Sequence, residues 1–302
     1  MCESRFGLRR RAFPATPDHT CYYPATTHEQ ALQQLQEGLA DGEGILLLVG
    51  EPGTGKTLLG HCLLDRLGPT TQAAFLTQSP TLARSGLLLA LLYDLSLPHQ
   101  GLSEQEMRLS LIDHLLEQYS QGKRLVLIID EAQQLSVEQL EELRLLGNLE
   151  GHAGKAVQIV LLAQSSILPT IARPELASLN QRLVVRVQLE PLPVEEAADY
   201  LLHHLRLAGG QAEAILGSEA LQELARHTGG VPRRLNQAAH LALRLAQAAG
   251  APEVELEIAQ EALIRLGLFN EPADEKVQAG LHIDAREESP GDSTAPLLAS
   301  AN

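Results

Sequence analysis

Apolar residues fall along this chain in two rhythms that take turns. Short runs that are apolar at nearly every position recur at Ile45 to Val49, Ala73 to Thr77, Leu125 to Ile129, Val157 to Ala163 and Val184 to Leu189. Runs apolar on both faces predict strands of a buried parallel sheet. Between them, apolar residues stand at helical spacing. Ala31, Leu32, Leu35 and Leu39 follow a capping box at Thr27-His28-Glu29-Gln30, and Gly42 closes that helix. Met107, Leu111, Leu115 and Tyr119 follow a second box at Ser103-Glu104-Gln105-Glu106, and Ser136-Val137-Glu138-Gln139 opens a further helix. A Leu-rich helix is expected over 86–93, and another after the first strand, to about Leu67. Strands alternating with helices predict an α/β domain over 27–190, a parallel sheet covered by helices on both faces in three αβα layers.

Beyond Pro191-Leu192-Pro193 the strand rhythm stops. Helices are expected at 194–208, 218–228, 232–249 and 255–267, forming an all-helical domain over 191–269. Residues 1–26 are rich in Pro, Thr and Arg without periodicity and predict an extended arm. Residues 270–302 turn polar and acidic and predict a disordered tail.

Composition narrows the class. The hydrophobic fraction of 44% supports a sizeable core, and the scarcity of aromatics leaves Leu and Ala to build it. A formal charge of −15 argues against a broad nucleic-acid face, which needs clustered Lys and Arg; only Arg9-Arg10-Arg11 is dense in positive charge. Cys2, Cys21 and Cys62 are odd in number and lack Cys-x-x-Cys spacing, which suits a reducing compartment. No secretory signal is visible, and the apolar stretch over 86–93 falls short of the ~20 residues a membrane span needs. A cytoplasmic protein without a membrane span is expected.

One stretch carries chemistry on its own. Gly50-Glu51-Pro52-Gly53-Thr54-Gly55-Lys56-Thr57 fits G-x-x-x-x-G-K-[ST], with an apolar strand before it and a helix opening at Leu58 after it. Glycines let backbone N–H groups turn inward around phosphate oxygens, and the helix adds the positive end of its dipole. Lys56 is expected to reach the β- and γ-phosphates, and the Thr57 hydroxyl to hold Mg²⁺; residues 50–58 form the expected ATP contact. Asp130-Glu131 ends the strand Leu125 to Ile129, at the sheet edge where ligands bind in open α/β folds. Asp130 is placed to hold the Mg²⁺ shell and Glu131 to polarise the attacking water; alone, the pair would equally serve the next helix dipole. Gln164, at the tip of the following strand, is placed to hold that water or to sense the γ-phosphate, or else is a simple turn residue. Arg182 and Arg233 are both suited to stabilise phosphoryl charge, and chemistry alone does not separate them from surface arginines.

Beyond these motifs, several stretches resemble one family. Phe6-Gly7-Leu8, Phe13-Pro14, Thr16-Pro17-Asp18, Leu127-Ile128-Ile129-Asp130-Glu131-Ala132-Gln133, the run from Glu141 to Glu150, Ala172-Arg173-Pro174-Glu175-Leu176 and Gly229-Gly230-Val231-Pro232-Arg233-Arg234-Leu235-Asn236 together look like an AAA+ ATPase of the ExeA/GspA-like, general secretion pathway A-type group. The resemblance covers Phe6 to about Leu268. It implies a P-loop NTPase fold with a C-terminal helical lid. It places Lys56 and Thr57 on the Walker A positions, Asp130 and Glu131 on Walker B, Gln164 on the first sensor and Arg233 on the second, carried by the lid. Arg182 falls on the arginine finger, acting in trans, with Arg173 and Arg186 as competitors. A ring or partial ring of identical subunits with ATP at the interface is implied. Relatives of this type commonly continue into a membrane helix and a cell-wall-binding domain. This chain shows neither, so a direct part in opening the cell wall is not expected.

Three functions compete. The first is an ATP-hydrolysing motor or switch acting on a protein partner in secretion, pilus or envelope assembly. The second is a regulator of DNA transposition or target selection, which the acidic balance disfavours. The third is a nucleotide switch with little hydrolysis, against which Glu131 argues.

Overall fold

The computed structural model describes residues 5–16, 18–69, 71–77, 84–151 and 154–269. The polar tail expected over 270–302, Cys2 and Pro17 lie outside the described residues. Chain contacts up to Phe269 make one compact unit.

At its centre lies a parallel sheet of five strands: β1 (Ile45–Gly50), β2 (Thr71–Leu76), β3 (Arg124–Ile129), β4 (Val157–Ala163) and β5 (Leu183–Leu189). Their spatial order is β2-β3-β4-β1-β5. β4 is therefore inserted between β1 and β3, with Val49 opposite Ala163 and Ile129 opposite Leu161. The period of two along a strand splits β1 between two cores. Ile45, Leu47 and Val49 face one core, which includes Leu88, Met107, Leu111 and Leu143. Leu46 and Leu48 face the other, with Leu32, Leu35, Leu59 and Leu63. Helices α1 (Thr26–Ala40) and α2 (Lys56–Asp65) cover the second face; α3 (Arg84–Asp94), α4 (Glu104–Ser120) and α5 (Val137–Leu146) cover the first. This is the three-layer P-loop NTPase arrangement expected of the chain. β5 differs from the fully buried strand expected: it lies at the sheet edge and alternates, with Val184 65% exposed and Val187 buried.

The boxes at Ser103 and Ser136 form as expected, each with a reciprocal bond to Glu106 or Gln139. The box at Thr27 does not. α1 starts two residues earlier, with Ala25 as N-cap in place of Thr27, and the N–H of Thr26 is taken by Glu196 Oε2 at 2.9 Å. Thr27 therefore lies inside the first turn, and a distant carboxylate, not a local side-chain cap, meets the free donor at Thr26. Short pieces went unforeseen: α6 (Ile167–Ile171), α7 (Ala177–Arg182), and a two-stranded hairpin of Glu150–Gly151 with Gly154–Lys155.

Beyond Leu189 the chain is helical: α8 (Val194–Leu207), the short α9 (Ala212–Ile215), α10 (Ser218–His227), α11 (Pro232–Ala249) and α12 (Leu256–Arg265). The N-terminal segment has little regular structure, but it is not a free arm. Phe6, Leu8, Ala12 and Phe13 are buried in the same cluster as Leu201, Leu205 and Leu235, and Arg9 donates its N–H to Ala208 O at 2.8 Å. Four apolar side chains without periodicity suffice for this docking, which is why a pattern search does not register it.

Two features of the helical layer lead to expected outcomes. Gly230 has φ +68°, and an added Cβ would fall 1.9 Å from Leu192 O, whose residue donates its N–H to Gly230 O at 2.9 Å. Gly229 has a similar φ of +62° but meets only Arg234 Nη1 at 3.9 Å. Gly230→Ala is expected to cost well over the ~1 kcal/mol of the left-handed strain alone, and Gly229→Ala about that amount, as read by thermal melts. His204 packs against Tyr200 and Phe13, with ring centroids 4.3 and 6.1 Å away, and burial, with His203 and Arg10 adding, pushes its pKa from 6.5 to about 4. The folded state needs the neutral ring. Its stability is therefore full above the unfolded value of ~6.5 and is lost as pH falls toward about 4. Denaturant midpoints at pH 7 and pH 4.5 are expected to fall together less steeply in His204→Phe than in the wild type.

Candidate functional site

β1 runs out at Gly50, and the chain turns back through Glu51–Gly55 before α2 begins at Lys56. Two glycines make this turn possible: Gly53 at φ +88° and Gly55 at φ +106°, a region L side chains avoid. The turn is held from inside. Thr54 is fully buried, and its hydroxyl donates to Glu51 O at 2.9 Å. Lys56 bends back along the loop and donates Nζ to Gly50 O at 3.0 Å and Glu51 O at 2.8 Å. Burial holds the Lys56 pKa below its ordinary value; the carboxylates of Glu131 and Asp130 oppose that shift and Arg233 adds to it.

The loop is also held from two sides. On one, His28 of α1 is buried and its Nε2 lies 2.8 Å from Thr54 O. A carbonyl only accepts, so Nε2 carries the proton, and burial keeps the ring's pKa low. On the other, the N–H of Arg233 at the start of α11 donates to Gly53 O at 3.2 Å. A Cβ on Gly53 would sit 2.7 Å from Arg233 Cβ.

The tips of β3 and β4 complete the arrangement. Asp130 follows β3, is buried, and accepts the Thr57 hydroxyl at Oδ2, 2.6 Å away, and the Glu131 N–H at Oδ1, 2.9 Å away. Glu131 has φ +54° and ψ +37°, a left-handed conformation rare for a non-glycine residue. That backbone turns the chain sharply after Asp130. Gln164, just past β4, donates Nε2 to Glu131 Oε2 at 3.3 Å. Glu131, Gln164, Lys56, Thr57 and Arg233 line one cavity of about 530 Å³, to which Pro52, Gly53, Gly55 and Leu58 also contribute. Gly50, Glu51 and Thr54 act from behind the loop through their backbone and side-chain bonds.

Arg182 is not brought to this cavity. It ends α7 as an exposed side chain and bears electrostatically on Glu150. Arg186 is engaged within the chain: its guanidinium donates to Leu183 O and Asn180 O, each at 3.2 Å. Arg173 is exposed.

Three contributors were not foreseen from the sequence. His28 falls inside the stretch expected to cap α1. Phe13, Tyr22 and Tyr23 of the N-terminal segment line the cavity opposite Tyr200 and Asn236 of the helical layer, where the Tyr200 hydroxyl donates to Asn236 Oδ1 at 2.9 Å. Gln133, in a 3-10 turn over Ala132–Gln134, contacts both Glu131 and Gln164. Gln133, two residues beyond Glu131, and Phe13 and Asn236 stood inside stretches that carry the family resemblance, but nothing there assigned them to the site.

The residues fit a nucleoside triphosphate with its metal. Lys56 and the start of α2 face the cavity where phosphates would lie, and Thr57 and Asp130 form a hard-oxygen pair of the kind Mg²⁺ takes. A family model for the AAA domain matches residues 39–171. General secretion pathway protein A of Aeromonas hydrophila is 38% identical over 250 residues, which are 82% of this chain and 45% of that protein. The chain thus spans less than half the length of that relative. Among solved structures, the ORC2 protein of Aeropyrum pernix, in ADPNP and ADP complexes, superposes with a TM-score of 0.66 at 19% identity, over 86% of this chain and 72% of that one. Cdc6p of Pyrobaculum aerophilum gives 0.66 at 21% identity, over 82% and 71%. At these identities the likeness is one of fold. Fold, phosphate loop and sequence relationship agree that the chain belongs to the AAA+ ATPase family, in its general secretion pathway A-like group.

Proposed function

We propose that this protein binds ATP with Mg²⁺, hydrolyses it, and uses the turnover to change the conformation of a partner assembly serving secretion, pilus or envelope construction. The observation that carries the reading is the convergence of Lys56, Thr57, Glu131, Gln164 and Arg233 on one cavity, with Asp130 bonded to Thr57 behind it. Lys56 exchanges the Gly50 and Glu51 carbonyls for β- and γ-phosphate oxygens. Thr57 and Asp130 hold Mg²⁺, which neutralises charge on the phosphates when bound. Glu131 orients and polarises the attacking water, with Gln164 beside it as the γ-phosphate sensor. Arg233 brings positive charge from the helical lid, and its backbone tie to Gly53 makes lid position sensitive to the loop. The aromatic wall of Phe13, Tyr22 and Tyr23 suits the base.

The reading includes a homo-oligomer with ATP at the subunit interface, in which Arg182, exposed and outside its own cavity, acts as a finger on a neighbour's. Arg186, bonded within the chain, is the weaker candidate, and Arg173 remains a competitor. The secretion setting rests on the name of the Aeromonas relative. A charge of −15 weighs against transposition or another DNA-centred role. Among the described residues no helix is long and apolar enough to cross a membrane, and a cytoplasmic setting, where ATP is plentiful, suits the site.

Lys56→Ala is expected to weaken ATP binding by about 100-fold through loss of charged hydrogen bonds, read by calorimetric titration. Glu131→Gln is expected to keep binding and lose ~10²-fold or more in kcat. Retained affinity in the first variant, or equal near-zero rates for wild type and Glu131→Gln, would refute the respective role. Arg182→Ala alone is expected to bind ATP but hydrolyse it slowly. Mixed with Glu131→Gln subunits it should regain activity, because one mixed interface then holds both an intact Glu131 and an intact Arg182; an unrecovered rate would remove support for a trans finger.

A further inference from the structure

One side chain joins the tips of β3 and β4. Gln133 donates Nε2 to Glu131 Oε2 at 2.5 Å and accepts the backbone N–H of Gln164 at its own Oε1, 3.0 Å away. Gln164 closes the triangle by donating Nε2 to the same Glu131 Oε2 at 3.3 Å. Both donors therefore fall on one carboxylate oxygen, and among the described residues none falls on Oε1 of Glu131. The left-handed backbone at Glu131, φ +54°, begins the turn that brings Gln133 back over the carboxylate.

This geometry has a definite chemical consequence. A glutamate side chain free in water samples many rotamers, and fixing one costs conformational entropy. A base that must meet a water at one angle gains from having that cost met before substrate arrives. We propose that Gln133 is a positioning residue for hydrolysis: it pins Glu131 through Oε2, so that Oε1 is presented to the attacking water, and it keeps that orientation in register with Gln164. The inference rests on the reading of Glu131 as the base. An amide suits the task because it carries a donor and an acceptor at one end without charge. A carboxylate in its place keeps the acceptor for Gln164 N–H, loses the donor to Glu131, and sets a like charge beside it. Asn has the same two groups on a stem one methylene shorter.

The experiment compares wild type, Gln133→Ala and Gln133→Glu for kcat, KM, affinity for a non-hydrolysable ATP analogue and melting temperature, all with Mg²⁺ present. Expected is a fall in kcat of at least about tenfold in both variants, with KM and analogue affinity within about threefold of wild type. Gln133→Glu is the discriminating variant. If the residue only ties β4 to β3, its retained acceptor suffices, so wild-type kcat there would overturn the proposal. A matched loss of analogue affinity and melting temperature would also overturn it, by assigning Gln133 to the fold. Glu131→Gln, run alongside, separates the levels: a rate equal to wild type defeats the base reading and this inference with it, whereas a large loss there and none in the Gln133 variants defeats the inference alone.

Discussion

Five strands run parallel, so their C-terminal ends emerge on a single edge of the sheet, and the proposed chemistry of the core hangs from that edge. Gly50 leaves β1 there, Asp130 leaves β3 and Gln164 leaves β4. The insertion of β4 between β1 and β3 sets the spacing. It puts Gln164 between the loop that would cradle phosphate and the carboxylates that would act on it. The Thr57–Asp130 bond of 2.6 Å then spans the strand in between. Had β1 and β3 been neighbours, no third tip would stand within reach of both.

Such an edge gathers charge, and the charge needs support. Lys56 is buried beside two carboxylates, an arrangement that is costly unless each group finds partners. Backbone carbonyls at Gly50 and Glu51 hold the ammonium, and a hydroxyl and a backbone N–H hold Asp130. These are the partners a phosphate and a cation would displace, so the site rests in a state already close to the one it would need. The strain at Glu131 belongs to the same logic. A left-handed glutamate persists because the Asp130 carboxylate takes its N–H and Gln133 takes its side chain.

What the sequence made legible follows from how local each feature is. The strands, the boxes at Ser103 and Ser136, the loop glycines and the Asp130-Glu131 pair are written in contiguous residues, and each was readable. Strand order was not, because five apolar runs look alike whichever neighbours they take. The failed box at Thr27 shows the same limit from the other side: its pattern is present, but the helix starts ahead of it, where a carboxylate 170 positions away meets the N–H of Thr26. The buried N-terminal segment, His28 and Gln133 were missed since each acts through a residue distant in sequence or through a backbone turn that no periodicity announces. Arg182 was readable as a candidate, yet within its own chain it lies outside the cavity.

The phosphate loop therefore differs from an isolated glycine turn in one respect that bears on function. Its carbonyls at Gly53 and Thr54 are adjacent in sequence but tied in opposite directions, one to the start of α11 through Arg233 and one to α1 through His28. α1 is in turn fastened to α8 by the Thr26–Glu196 bond, and the N-terminal segment is buried among the lid helices. A displacement of the loop by phosphate must be taken up at both ties. Because the helical layer holds one directly and the other through α1, such a displacement reaches that layer by two hydrogen-bonded routes. A nucleotide that displaced the loop would therefore act on the helical layer through both ties at once, not through either alone.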